Sequence, residues 1–239
     1  MQTSVSREAL VIMARYPEAG AVKTRLALDL GPQATLRLYR AFIDDLAGKF
    51  GSLSRPLIWY YLPESSPFAK LFSHRYPCRP QTGSSLQERM LRIFEELFGE
   101  GYKRVVVIGA DVPHIPVVAV DEAFSLLDDA DVVLRPSFDG GYHLIGLTAA
   151  RDLFSGIPMG TDRVLRDTIE RAASMGLSVR CQAPSFDIDT VRDVEQLERF
   201  LTALVRSERF SEGTLDEAFE SGLLLRIARR AAGAVPGSP

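Results

Sequence analysis

Cysteine is scarce in this sequence: two in 239 residues, Cys78 and Cys181, far apart and without metal-ligating neighbours. That argues against a disulfide framework and reads as two ordinary thiols in a reducing cytoplasm. Long apolar runs are missing too. No segment reaches about 18 uncharged apolar residues, so no membrane span is expected. The N-terminal run Ala9 to Ala14 is too short for a signal segment, and Arg15 stops it. Positive charge is not in excess: the formal net charge is −3, which gives bulk binding of nucleic acid no support. Repeats and low-complexity tracts are absent. Histidine is rare, and His114 and His143 each stand alone, which favours a structural role over acid–base work. What remains is a chain 46% hydrophobic, enough for one large α/β domain with a real core. The expectation is a soluble, cytoplasmic protein.

Ala9 to Ala14, Leu57 to Leu62 and Arg104 to Ile108 are short apolar runs of the kind buried on both faces of a sheet. Asp131 to Leu134, Tyr142 to Leu147 and Leu177 to Cys181 are further strand candidates. Helical patterns lie between them. Pro32 opens one to about Lys49, with Leu36, Tyr39, Ile43 and Leu46 on one face. Ser85 and Glu88 form a capping box ahead of Met90, Ile93, Phe94 and Leu97. Further helices are expected from Pro116 to about Asp128, Thr161 to about Met175 and Thr190 to Val205. This alternation predicts an α/β fold: a single three-layer αβα domain over residues 1–205, with a mixed, mostly parallel sheet. Residues 206–239 read differently. Thr214 and Glu217 cap a helix carrying Phe219, Leu223, Ile227 and the arginines 226, 229 and 230, and a frayed tail follows. This appendage is expected to pack on the domain, where a homodimer contact could form.

In open α/β sheets, ligands sit beyond the carboxyl ends of the strands. "VVVIGADVPHIP" places Asp111 at such an end, with Pro113 and Pro116 preventing the strand from continuing. "SFDGGYHLIGL" places Asp139 before two glycines, and "FDIDT" supplies Asp187 and Asp189. Any one of these acids would be ordinary as a helix cap. Gathered on one edge they repel unless a cation joins them, and oxygen-only ligands suit Mg²⁺ or Mn²⁺. If so, Asp111→Asn is expected to leave the melting temperature unchanged or raise it. The first strand ends in "ARYPEAGAVKTRL", which puts Arg15, Lys23 and Arg25 on one loop broken by Gly20. A P-loop requires Gly directly before the Lys, and Val22 stands there instead. Cations and free backbone N–H groups after strand one still suit a diphosphate.

Taken together, "MARYPEAGAVKTRLA", "GADVPHIP", "DGGYHLIGL", "TDRVL" and "FDIDT" resemble, in order, the motifs of a bacterial family of presumed glycosyltransferases. That family has a nucleotide-diphospho-sugar transferase (GT-A) fold and has been linked to arsenosugar biosynthesis. Its relatives include molybdenum-cofactor and 2-phospholactate guanylyltransferases. The resemblance covers residues 9 to about 203. Two stretches depart from the family: "QTGSSLQERM", where an acid and Gly are usual before the Arg-Met, and "VRDVEQL", where Pro is usual after the acid. The resemblance implies a metal site on Asp111 and Asp189. It implies nucleotide contacts from Arg15, Gly20, Lys23, Thr24 and Arg25 in the first loop, and from Gln81, Gly83 and Arg89 nearer the base. It implies that Asp139, Gly140, Gly141 and Tyr142 face the transferred group or the acceptor.

Three functional readings follow. In the first, a metal-dependent transferase uses a nucleotide-sugar donor and a small-molecule acceptor. The ion, with Lys23 and Arg25, neutralises the departing diphosphate, and Asp139 positions the acceptor or acts as its base. In the second, a nucleotidyltransferase joins an NTP to a phosphorylated small molecule and releases pyrophosphate. In the third, the chain binds nucleotide without catalysis.

Overall fold

The computed structural model describes residues 8–197. The appendage expected over 206–239, and the last helix beyond residue 197, lie outside the described residues. In chain order the elements are β1 (Glu8–Arg15), α1 (Thr24–Leu30), α2 (Pro32–Phe50), β2 (Leu57–Leu62), a 3₁₀ turn (Phe68–Phe72), β3 (Cys78–Pro80), α3 (Leu86–Gly99), β4 (Arg104–Gly109), α4 (Val117–Leu126), β5 (Val132–Pro136), β6 (Tyr142–Leu147), α5 (Val164–Ser174) and β7 (Val179–Cys181). The chain is helical again from Val191.

All seven strands join one sheet in the order β3-β2-β1-β4-β6-β5-β7. Only β6 runs against its neighbours, so the sheet is mixed and mostly parallel, as expected. β1 is an inner strand between β2 and β4, with Val11 opposite both Ile58 of β2 and Val107 of β4. Alternation of side chains along the strands builds two apolar faces. Ala9, Val11, Ile58, Tyr60, Val105, Val107, Ile145 and Leu147 pack with Met90, Ile93, Phe94 and Leu97 of α3 and Ala172 of α5. On the opposite face, a Cβ added at Gly146 would meet Leu127, which caps α4, and Val106 of β4. The arrangement is α/β with helices on both faces.

Both edges of the sheet are three-residue strands, β3 and β7. Short edges are a known protection against further pairing, and Pro80 on β3 lacks the donor an inner strand would need. β3 was not expected, nor was α1, a seven-residue helix whose N-cap residue, Lys23, makes no side-chain cap. α5 starts three residues later than the sequence suggests. The hydroxyl of Thr161 turns back to the carbonyl of Pro158, 3.0 Å away, instead of capping. The capping box of α3 is half realised. Ser85 accepts from Glu88 N, but Glu88 reaches back to Ser84 N and Oγ at 2.8 and 2.9 Å.

The described residues fall into two compact units. The first holds the sheet and α3, α4 and α5. The second is made of residues 17–52, residues 110–114 and residues 187–197. In the second unit α1 and α2 pack together, with Leu26, Leu38, Phe42 and Leu46 buried. Gly31 joins them: it caps α1 by donating to Ala27 O and, as N-cap of α2, accepts from Thr35 N. Its φ of 76° is one that side chains rarely adopt, and Pro32 then starts α2 as the sequence suggests.

Candidate functional site

Within the second unit, three segments distant in sequence meet. The backbone N–H of Ile188 donates to the carbonyl of Asp111 at 3.0 Å, which ties the 187–189 turn to the 110–114 segment. Ile188 is fully buried and anchors that turn. Asp193 fixes it from the other side: one carboxylate oxygen accepts from Asp189 N, Thr190 N and Thr190 Oγ1 at 3.0, 2.7 and 2.8 Å. Lys49 of α2 donates to the carbonyl of Pro113 at 2.7 Å and holds the 110–114 segment. The result is a pair of carboxylates, Asp111 and Asp189, set by buried or hydrogen-bonded backbone.

Lys23 lies between them. Its Nζ is 3.0 Å from Asp111 Oδ2 and 2.9 Å from Asp189 Oδ1. Arg25 Nη1 reaches the other oxygen of Asp189 at 3.3 Å. The lysine side chain is 9% exposed, against 31% and 40% for the two acids and 72% for Arg25. Burial acts to lower the Lys23 pKa. The charge of Asp111, then that of Asp189, and hydrogen bonds to both outweigh it and hold the pKa above the ordinary lysine value. Lys23 is therefore a permanent ammonium. Two acids and two cations leave the cluster with no net charge. The four residues expected at a metal and diphosphate site are thus together, but Lys23 and Arg25 are bonded to the acids. Thr24 is exposed at the start of α1, and Gly20 lies in the turn ahead of it.

The first unit holds the remaining residues in two groups. At the carboxyl ends of β1 and β2, the buried Gln81 donates its amide to Ala14 O at 3.1 Å and to Tyr60 O at 2.9 Å, which stitches the two strands together. Arg15 ends β1, and its charge reaches Arg89 of α3. Burial first, then Arg15, lowers the pKa of Arg89. The Nε of Arg89 is enclosed and donates to no protein acceptor. A Cβ on Gly83 would come within 2.9 Å of Glu88 Cβ and 3.1 Å of Arg89 N, so Gly83 is needed for α3 to approach.

The second group is the β5–β6 connection. Asp139 is exposed, and its Oδ1 accepts from Gly141 N at 3.0 Å. The carboxylate thus shapes its own turn while its other oxygen stays available. Gly140, at φ 90°, lies against the backbone of Asp162: an added Cβ would sit 2.2 Å from that carbonyl oxygen. Tyr142 packs against the core cluster, and burial pushes its pKa up to about 12. Thr168 lies near enough to oppose that shift but not in hydrogen-bond geometry, and its own hydroxyl donates to Val164 O at 2.7 Å. The Tyr142 ring therefore serves the core. His114 and His143 are buried, in keeping with structural roles, and Cys78 and Cys181 are free thiols.

Two supporting residues escaped the sequence reading. Lys49 sits in a helix and gives no local sign of reaching Pro113. Asp193 could have been found, because Thr190 and Asp193 have the spacing of a capping box. Among the described residues, no helix is long and apolar enough to cross a membrane, and no group of three or more His, Cys, Asp or Glu is placed to hold a metal.

Residues 50–161 match the sequence profile of a family described as "Uncharacterized protein conserved in bacteria (DUF2064)", and residues 178–236 match a "Family of unknown function (DUF6508)". No curated protein matches the chain. Among solved structures, the chain is similar to a presumed nucleotide-diphospho-sugar transferase from Desulfovibrio desulfuricans G20, with 32% identity and a TM-score of 0.78 over 93% of this chain and 98% of that one. A cytidylyltransferase from Leptospira borgpetersenii has 14% identity and a TM-score of 0.52, with 98% of each chain covered. A nucleotidyl transferase from Methanothermobacter has 15% identity and a TM-score of 0.53, covering 82% of this chain and 98% of that one. These last two likenesses are of fold.

Proposed function

The chain belongs to the nucleotide-diphospho-sugar transferase family, and we propose that it is a metal-dependent glycosyltransferase with a nucleotide-sugar donor and a small-molecule acceptor. The observation that carries the metal is the convergence of Asp111 Oδ2 and Asp189 Oδ1 on one cation, at 3.0 and 2.9 Å. The donor set fits Mg²⁺ or Mn²⁺: two carboxylates in a charged, partly exposed place, with water and substrate phosphates left to complete the shell. When bound, such an ion supplies charge neutralisation to a departing diphosphate.

The chain's own residues do the rest. Asp111 and Asp189 hold the ion. Lys23 and Arg25 carry the positive charge that binds the diphosphate and stabilises it as it leaves. Arg15 and Arg89 are cations for the nucleotide, and the unmet Nε of Arg89 supports that role. Gln81 and Gly83 support the nucleotide region by holding β1, β2 and α3 in place. Asp139, with one oxygen engaged by Gly141 and the other available, positions the acceptor hydroxyl.

A second reading, transfer of a nucleotidyl group, draws on the Leptospira and Methanothermobacter proteins, which are described as nucleotidyl-transferring enzymes and share the fold. It needs no protein base, so Asp139 would be dispensable. Thermal shift against a panel of nucleotide sugars and NTPs with Mn²⁺ identifies the donor. A ligand at 100 times its Kd stabilises by about 2.7 kcal/mol. Turnover of that donor with candidate acceptors then separates the readings: a free nucleoside diphosphate supports the first, and pyrophosphate overturns it in favour of the second.

A further inference from the structure

We propose that Lys23 is a resident cation that closes the Asp111–Asp189 pair in the ligand-free enzyme and yields the pair when a divalent ion enters, so that the freed ammonium passes to the diphosphate. The proposal rests on the metal reading above and adds an order of events to it. The two carboxylates already face one cation, and that cation is the ammonium. A divalent ion on the same two oxygens cannot share the place with a second positive charge, so binding is an exchange.

Charge gives the exchange its purpose. With Lys23 and Arg25 paired to the acids, those four side chains carry no net charge and Asp193 on the same turn adds a negative one, so the cluster has no net attraction for an anion. Once an ion of charge +2 neutralises the acids, Lys23 and Arg25 are left with two uncompensated positive charges, which suit a diphosphate. Metal and diphosphate then favour each other at this cluster, and neither is held strongly alone.

Access and reach agree with this. The acids are three to four times as exposed as the Lys23 side chain, at 31% and 40% against 9%, so an ion meets carboxylate oxygen before it meets the ammonium. Lys23 lies just ahead of α1 and carries its charge on a flexible four-carbon stem, so the ammonium can swing while Asp111 and Asp189 stay where Ile188 and Asp193 hold them.

The test is Mn²⁺ alone, titrated into the full chain, with free Mn²⁺ counted by electron paramagnetic resonance. Lys23→Met should bind one Mn²⁺ about tenfold or more tighter than the wild type, because nothing has to be displaced. Adding Asp111→Asn to Lys23→Met should abolish that site. Equal Mn²⁺ affinity in wild type and Lys23→Met overturns the exchange and leaves the metal reading standing. No Mn²⁺ site in either protein overturns the metal reading and the exchange with it. If Lys23→Met does not fold, the wild type decides. In ¹⁵N-lysine-labelled protein the enclosed Lys23 ammonium should give a slowly exchanging signal whose position changes on adding Mg²⁺ with a nucleoside diphosphate, because its partners change from carboxylate to phosphate. A signal unchanged in position at saturating Mg²⁺ and nucleotide overturns the exchange.

Discussion

Lys49→Met should stabilise this protein at neutral pH. Lys49 is part-buried in the last turn of α2, donating to Pro113 O at 2.7 Å. Burial lowers its pKa from 10.5 to about 8, even though the charge of Asp45 works to raise it. The unfolded chain thus holds this proton more tightly than the folded one. At about 1.4 kcal/mol per pH unit, the gap from 10.5 to about 8 amounts to roughly 3 kcal/mol as an upper figure. The sign follows from the lowered pKa. Below pH about 8 both states carry the proton and the folded state bears the full cost. Between about 8 and 10.5 the unfolded state binds more protons, so stability contributed by Lys49 rises with pH. Met keeps the stem and drops the charge, but also drops the charge-assisted bond to Pro113, which is worth about 1.5–3 kcal/mol. The net gain at pH 7 should be small, up to about 1.5 kcal/mol, or at most roughly 6 °C in Tm for a domain this size. Thermal melts of both proteins at pH 7 and pH 10 test this, and the difference between them cancels the other titrating groups. The advantage of the variant should shrink toward pH 10. A variant less stable than wild type at pH 7, or an advantage that grows with pH, would refute the reasoning.

Asp111→Asn should lower the melting temperature, by about 1 kcal/mol of stability, and also abolish metal-dependent nucleotide binding. This reverses the expectation from sequence, because the ammonium of Lys23 already offsets the repulsion between the acids. A higher Tm in the variant would show that the ion pairs contribute nothing. Gly140→Ala should cost at least about 3 kcal/mol, since its Cβ meets backbone of Asp162 at 2.2 Å and φ is 90°. Urea denaturation measures it, and a loss below about 1 kcal/mol would mean that the 160–162 turn gives way easily.

The parts of the fold legible in the sequence are those where burial leaves a local mark. β1, β2 and β4 have continuous buried runs because both faces of a parallel sheet are covered, and Ser85 announces α3 by its cap. β3 leaves no such mark: three half-buried residues ending in a proline do not look like a strand, and only the neighbouring β2 makes them one. α1 is equally silent, with seven residues and no capping side chain. The acids of the candidate site were legible because carboxylates at strand ends are conspicuous against apolar runs. Their partner was not. Lys23 is 88 positions from Asp111 and 166 from Asp189, and no spacing rule spans such distances. A lysine in a loop after strand one looks like a group waiting for phosphate, because the sequence shows its charge and not what balances that charge. Folding brings two acids to it, since an enclosed ammonium without anions would lose its proton. Phosphate must therefore compete with carboxylate for this lysine, and a second cation is the physical means of tipping that competition.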